Sequence, residues 1–252
     1  MFQSVLYELI NYYFESALNE AESSSGSIDQ KVISAIAEDA PDAASILAKW
    51  IVSYSAHRVH WYLDGENSNN TNSFSEEVSS CAIKYFRSRN NWQLDTVSTF
   101  GALHREIHTL YCNKMGKQRS FISLTSKILW CFQPTDTPIY DDYAYRAVVM
   151  LNKLRKACND SLPIYNENNS LGDLGFEELK WEEGPKMKND VWWYNEFYQC
   201  HKILFSSCKE HIAMKLAKKE NKKQLSHVDA LRVFDKVLWL FGNINRDFSA
   251  RT

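Results

Sequence analysis

The stretch Lys114 to Arg146 gathers most of the residues whose types and spacing suit chemistry. It reads as a helix end, a tight glycine turn at Met115-Gly116-Lys117, a second apolar helix, and a link bounded by Pro134 and Pro138. An acidic dyad, Asp141-Asp142, then stands at the mouth of a further helix. A turn between two helices leaves backbone N–H groups unpaired, and the positive end of the second helix lies beside them, so such a turn can hold a phosphate. Lys114, Lys117 and Arg119 add charge there, and Gly116, Ser123 and Ser126 complete the expected phosphate-contact set. Contacts of this kind place a protein on DNA without reading its sequence.

Each of these residues also has a plain reading. Asp141 or Asp142 after Pro138 suits an N-cap. Lys127 suits a solvated helix face, and Gly116 a helix C-cap.

The helix Ser123-x-x-Ser126-Lys127-x-Leu129, followed by Pro134 and Pro138-Ile139-Tyr140-Asp141, resembles the helix-hairpin-helix DNA glycosylases, in particular the bacterial 8-oxoguanine-glycosylase-like proteins. Arg232-Val233-Phe234-Asp235-Lys236-Val237-Leu238-Trp239 resembles a second recurring feature of that group. The resemblance implies that Asp141 is the catalytic carboxylate, with Asp142 the alternative. Breaking an N-glycosidic bond builds positive charge on the deoxyribose, which a carboxylate stabilises while orienting or deprotonating the attacking water.

Some members of that family use a lysine that forms a Schiff base with the sugar. Lys127 is the candidate here. Ser123 falls nearer the family's lysine position, so hydrolysis without strand cleavage is expected. Trp130, Tyr140 and Tyr143 lie close in sequence to the dyad and are candidate walls for a flipped base. Double-stranded DNA is the implied partner, the chain acting as a monomer with no cofactor and no metal. Oxidised guanine is the default base, and a hypermodified phage base in anti-phage defence is the other. The rival reading is a catalytically inactive helical DNA-binding or protein-interaction module. A HEPN-type ribonuclease ranks last, since no Arg precedes a His at that family's four-to-six-residue gap.

The elements that must position these residues are helical. Apolar residues recur at helical spacing along the chain (Val5, Leu6, Leu9, Ile10, Tyr13, Phe14 and Ala17 at its start), and no useful strand alternation occurs. The expected class is all-α, a two-lobed helical bundle like that of the glycosylases. Within it, 1–95 forms an N-terminal lobe, 96–158 the hairpin and catalytic helices, and 159–252 a surface excursion plus the closing helices. Residues 64–75, rich in Asn, read as an exposed loop, and 159–188 as the longest one.

With 252 residues, 44% of them hydrophobic, the chain can bury a large core. Its net charge of −2 means that any nucleic-acid surface must be a local basic patch. No secretory signal and no membrane span is expected. The six cysteines lack a C-x-x-C pair and read as reduced thiols in a cytoplasm. His57 with His60, and His104 with His108, share helix faces, but no carboxylate nearby in sequence completes a metal pattern. Trp192-Trp193-Tyr194 and Trp61-Tyr62 suit either base stacking or core packing.

Overall fold

The computed structural model describes residues 1–23, 26–62, 68–88, 95–115, 119–158, 187–220 and 229–249, although not every side chain within those spans. Among these residues the secondary structure is nine α-helices, with no strand. The chain is all-α. No helix among the described residues is long and apolar enough to cross a membrane.

The chain divides into two compact units, neither continuous in sequence. One unit joins residues 1–23 to 138–185 and 192–252, and the other comprises 24–137 and 186–191. The first helix belongs to the same unit as the last ones.

The second unit holds α2 (Gly26–Ala37), α3 (Ala43–Tyr62), α4 (Ser68–Arg87), α5 (Thr96–Met115) and α6 (Ile122–Phe132). Helix α6 packs against α2, α3 and α5. Being surrounded, it buries more than one stripe: Ile122, Thr125, Ser126, Lys127, Ile128, Leu129, Trp130 and Cys131 are all buried. The Trp50 ring stacks on Trp130 at 6.1 Å, and its indole N–H donates to Asp29 Oδ1 at 2.7 Å. That bond satisfies a polar group that would be costly to bury alone. Phe86 stacks on Phe132 at 3.8 Å.

Two sequence expectations change here. Residues 68–75 are helical rather than a loop, and α5 runs on through Met115. The Asn-rich start of α4 has poor intrinsic helix propensity. Buried Phe74, packed on Tyr111 at 5.6 Å and on Phe121 at 6.0 Å, supplies the tertiary contact that extends the helix.

The first unit holds α1 (Phe2–Ser23), α7 (Asp142–Ala157), most of α8 (Met187–Glu220) and α9 (Ala230–Ser249). Helix α9 packs on both α1 and α7. Its Val233, Phe234, Val237 and Leu238 are fully buried, at helical spacing. At Gly242 it passes so close to the start of α7 that an added Cβ would overlap the Tyr143 carbonyl. Glycine is required there by contact and not by turn geometry.

Candidate active site

The link into α7 is built from proline chemistry and then tied down from two other helices. Gln133 closes α6 through its N–H to the Leu129 carbonyl, and Pro134 follows. Beyond buried Pro138, the Ile139 N–H donates to Asp235 Oδ2 of α9 at 3.3 Å, and the Pro138 carbonyl accepts from the Tyr194 hydroxyl of α8 at 3.3 Å. Asp235 is itself buried, with its Oδ1 2.8 Å from His201 Nε2. Thus one carboxylate joins α8, α9 and the backbone of the link. Tyr194 is wholly buried, and burial first, then the neighbouring Asp235, raises its phenol well above the usual range. It acts as a fixed donor.

Asp141 follows in extended backbone (φ −148°, ψ 170°) and caps α7. Its Oδ1 accepts from the N–H groups of Tyr143 and Ala144, each at 2.9 Å, and its carbonyl accepts from the Tyr145 N–H at 2.9 Å. The positive end of a helix favours an anionic side chain at this place. Asp141 and Asp142 are both half-buried. The arrangement is a carboxylate with some water access, fixed in one rotamer and backed by a clamped loop. It can stabilise a developing cation or orient a water.

The aromatic residues beside it are less open than the sequence suggests. Tyr140 is buried against Phe197 at 5.1 Å and Tyr145 at 5.7 Å. Tyr143 is half-buried, edge-on to Trp239 at 5.8 Å.

The other candidates belong to the second unit. Lys127 is only 6% exposed within α6, so it does not lie on a solvated face. Ser126 donates to the Ser123 carbonyl at 3.1 Å, which occupies its hydroxyl locally. Trp130 is in the core against Trp50. Lys114 is ion-paired with Glu77 of α4, and Arg119 is half-buried. Gly116 and Lys117, the tip of the expected hairpin, lie outside the described residues. So do the side chains of His57, His60, Trp61 and Tyr62. The structure thus groups Tyr140, Asp141, Asp142 and Tyr143 in one unit, and Lys114, Arg119, Ser123, Ser126, Lys127 and Trp130 in the other.

Comparisons with protein-family models, curated proteins and solved structures give no match for this chain.

Asp235, His201 and Asp190 help organise these units and were not singled out in the sequence as site residues. Asp235, His201 and Tyr194 hold the link. Asp190 stands 2.8 Å from His104 in the second unit, both essentially without exposure. Asp190 is the carboxylate that sequence proximity could not supply. His104 rings with His108 at 6.2 Å, and His108 Nδ1 is 3.5 Å from Cys112 Sγ. No group of three or more His, Cys, Asp or Glu among the described residues is arranged to hold a metal ion. The signal for Asp235 was present: a carboxylate in the middle of the most apolar run of α9 needs a buried partner.

Proposed function

We propose that the chain is a DNA glycosylase of the helix-hairpin-helix kind, hydrolysing the N-glycosidic bond of a flipped, damaged or modified base in double-stranded DNA. The observation that carries the proposal is the fixed carboxylate of Asp141 at the N-terminus of α7, behind a link held by Asp235, His201 and Tyr194. In this reading Asp141 stabilises the sugar cation and orients the attacking water. Asp142 is the neighbouring alternative. The segment between α5 and α6 contacts the phosphate backbone in this reading, with Lys114, Lys117 and Arg119 adding charge. Oxidised guanine is the default base, and a hypermodified phage base is the second substrate to test.

The test is mass spectrometry of bases released from oxidised, natural and phage DNA by the wild-type chain and by Asp141→Asn. Asparagine caps helices as well as aspartate does, so this variant removes the charge and keeps the fold. Release by the wild type that disappears in the variant supports the proposal, and no release from any of these DNAs removes it.

A second reading is favoured by one feature. The two N–H bonds to Asp141 Oδ1 are what a purely structural cap makes, as in a helical DNA-binding module without chemistry. Under that reading DNA is bound and no base is released.

A further inference from the structure

Helix α7, the helix that Asp141 caps, is rich in cations. After Asp142 in its first turn it carries no acidic side chain, whereas Arg146, Lys153, Arg155 and Lys156 follow. Lysines of other helices meet acids across helix contacts: Lys114 meets Glu77, Lys219 meets Glu15 and Lys236 meets Glu20. On α7, Arg155 bonds to Asn152. No hydrogen bond or ion pair among the described residues reaches Arg146, Lys153 or Lys156.

These three form one stripe. Asp142, Arg146, Val149, Lys153 and Lys156 recur at i, i+4, i+7, i+11 and i+14. Lys153 and Lys156 are exposed, and Arg146 is half-buried. At ~1.5 Å of rise per residue, the three cations span about 15 Å of helix. The helix dipole favours cations at the C-terminal end, which accounts for Lys156 but not for Arg146 in the second turn. Like charges along one helix face repel, and an anion with repeated charges relieves that repulsion. Met150 and Leu154 flank the stripe at 39% and 38% exposure, so most of their apolar surface is covered and α7 offers little to insert into a lipid bilayer.

From this stripe we propose that α7 docks on a DNA phosphate backbone through Arg146, Lys153 and Lys156, with Asp141 at one end of the contact. The proposal rests on the glycosylase reading and assigns it a second phosphate-contacting surface, on the unit that carries Asp141. On a chain of net charge −2 such a surface has to be a local patch, and the stripe is one. One strand of B-DNA presents a phosphate every ~3.4 Å of axis, so the stripe matches about four successive nucleotides. Contacts of this kind set register and orientation and leave base choice to other groups. Asp142, at the head of the stripe, repels phosphate and so ends the track beside the carboxylate that acts on the sugar.

The experiment follows the fluorescence anisotropy of a labelled DNA duplex between about 50 and 200 mM salt, which gives the salt slope of binding. It compares the wild type with Arg146→Gln/Lys153→Gln/Lys156→Gln. A control, Lys31→Gln/Lys49→Gln/Lys209→Gln, removes the same charge from exposed lysines of α2, α3 and α8. The α7 variant should lower the slope by ~2–3 and the affinity on the order of 100-fold near 0.1 M salt, at ~0.9 of slope per lost contact. The control should lower the slope by less than ~1. Equal slopes for the two triple variants overturn the proposal, as does a wild type that binds no duplex. Should the α7 triple variant not fold, the three single variants decide: each should lower the slope by ~1, and wild-type slopes in all three overturn the proposal. Vesicles of phosphatidylserine and phosphatidylcholine are titrated in parallel. Vesicle binding that the α7 variant loses, with duplex binding unchanged, gives the stripe to a lipid surface and overturns the proposal. Base release from oxidised DNA is a separate readout. A lowered slope without base release by the wild type keeps the α7 surface and removes the glycosylase proposal. Base release by the wild type, with an unchanged slope in the α7 variant, does the reverse.

Discussion

His201 Nε2 stands 2.8 Å from Asp235 Oδ1, and the other oxygen of that carboxylate takes the N–H of Ile139, two residues before Asp141. Removing the carboxylate should therefore do two things. Asp235→Leu leaves a buried histidine and a buried amide unpaired, which should cost ~3–5 kcal/mol of stability. Asp235→Asn keeps an acceptor and should cost much less. In denaturant titrations the leucine variant should be the weaker by a wide margin. Equal stability of the two variants would show that the carboxylate does not hold the link.

Gly242 allows a close approach of α9 to the start of α7. Gly242→Ala places a methyl group against the Tyr143 carbonyl, a backbone atom that cannot rotate aside. The helices must separate, with a loss of ~1–3 kcal/mol by the usual scale of overpacking. The same separation shifts the turn that Asp141 caps, so any activity should fall along with the melting temperature. An alanine variant as stable as the wild type would contradict the contact.

The helical class was legible because apolar spacing survives in every amphipathic element, α9 most clearly. The Asp141 cap was legible from Pro138 and the dyad. What sequence could not reveal depends on the third dimension. The Asn-rich start of α4 looks like a loop until Phe74 is placed against Tyr111 and Phe121. Lys127 looks like a solvated lysine until α6 is seen surrounded by α2, α3 and α5. His201 and Asp235 are 34 residues apart, and His104 and Asp190 farther still, so neither pair is visible as a local motif.

His108 gives stability a pH dependence with a definite sign. Desolvation by burial, and then the neighbouring His104, lower its pKa below the ordinary 6.5, while Asp190 raises it. The unfolded chain therefore takes up a proton at His108 before the folded chain does. Its contribution is fully retained above pH 6.5 and is lost as pH falls from there through the lowered folded value. His211 is lowered too, mainly by desolvation, and adds to the same limb. Melting temperatures between pH 7.5 and 5 should fall, and His108→Leu should flatten part of that decline. An unchanged slope would remove His108 as a source.

The cysteines should divide by burial. Cys208 is buried, with its thiol pushed well above the usual range by desolvation, and Cys200 is pushed up to about 12. Neither forms thiolate near neutral pH, and only thiolate attacks alkylating agents readily. Iodoacetamide at pH 8, followed by peptide mass mapping, should leave both unmodified in the folded chain and label them in denaturant. Rapid labelling of Cys208 in the native protein would place it nearer solvent than α8 allows.

The last prediction concerns which residue would carry the reaction. Asp141 is fixed at the mouth of α7 with both N–H bonds on one oxygen, and Asp141→Asn removes the charge while its amide oxygen can still accept them. A charge needed mainly in the transition state affects kcat far more than substrate binding. Base release should fall by orders of magnitude, with DNA affinity and melting temperature nearly unchanged. Lys127 is buried in α6 of the other unit, and hydrolysis by Asp141 has no need of a Schiff base. The abasic strand should then stay intact until heat, alkali or a separate lyase cuts it. Lys127→Met keeps volume and should lower activity only in step with stability. Borohydride added during turnover gives the direct reading. A trapped protein–DNA adduct that vanishes in Lys127→Met would make Lys127 the nucleophile and the enzyme a lyase. Full activity in Asp141→Asn would pass the carboxylate role to Asp142, and full activity in both aspartate variants would leave the chain a helical DNA-binding module without this chemistry.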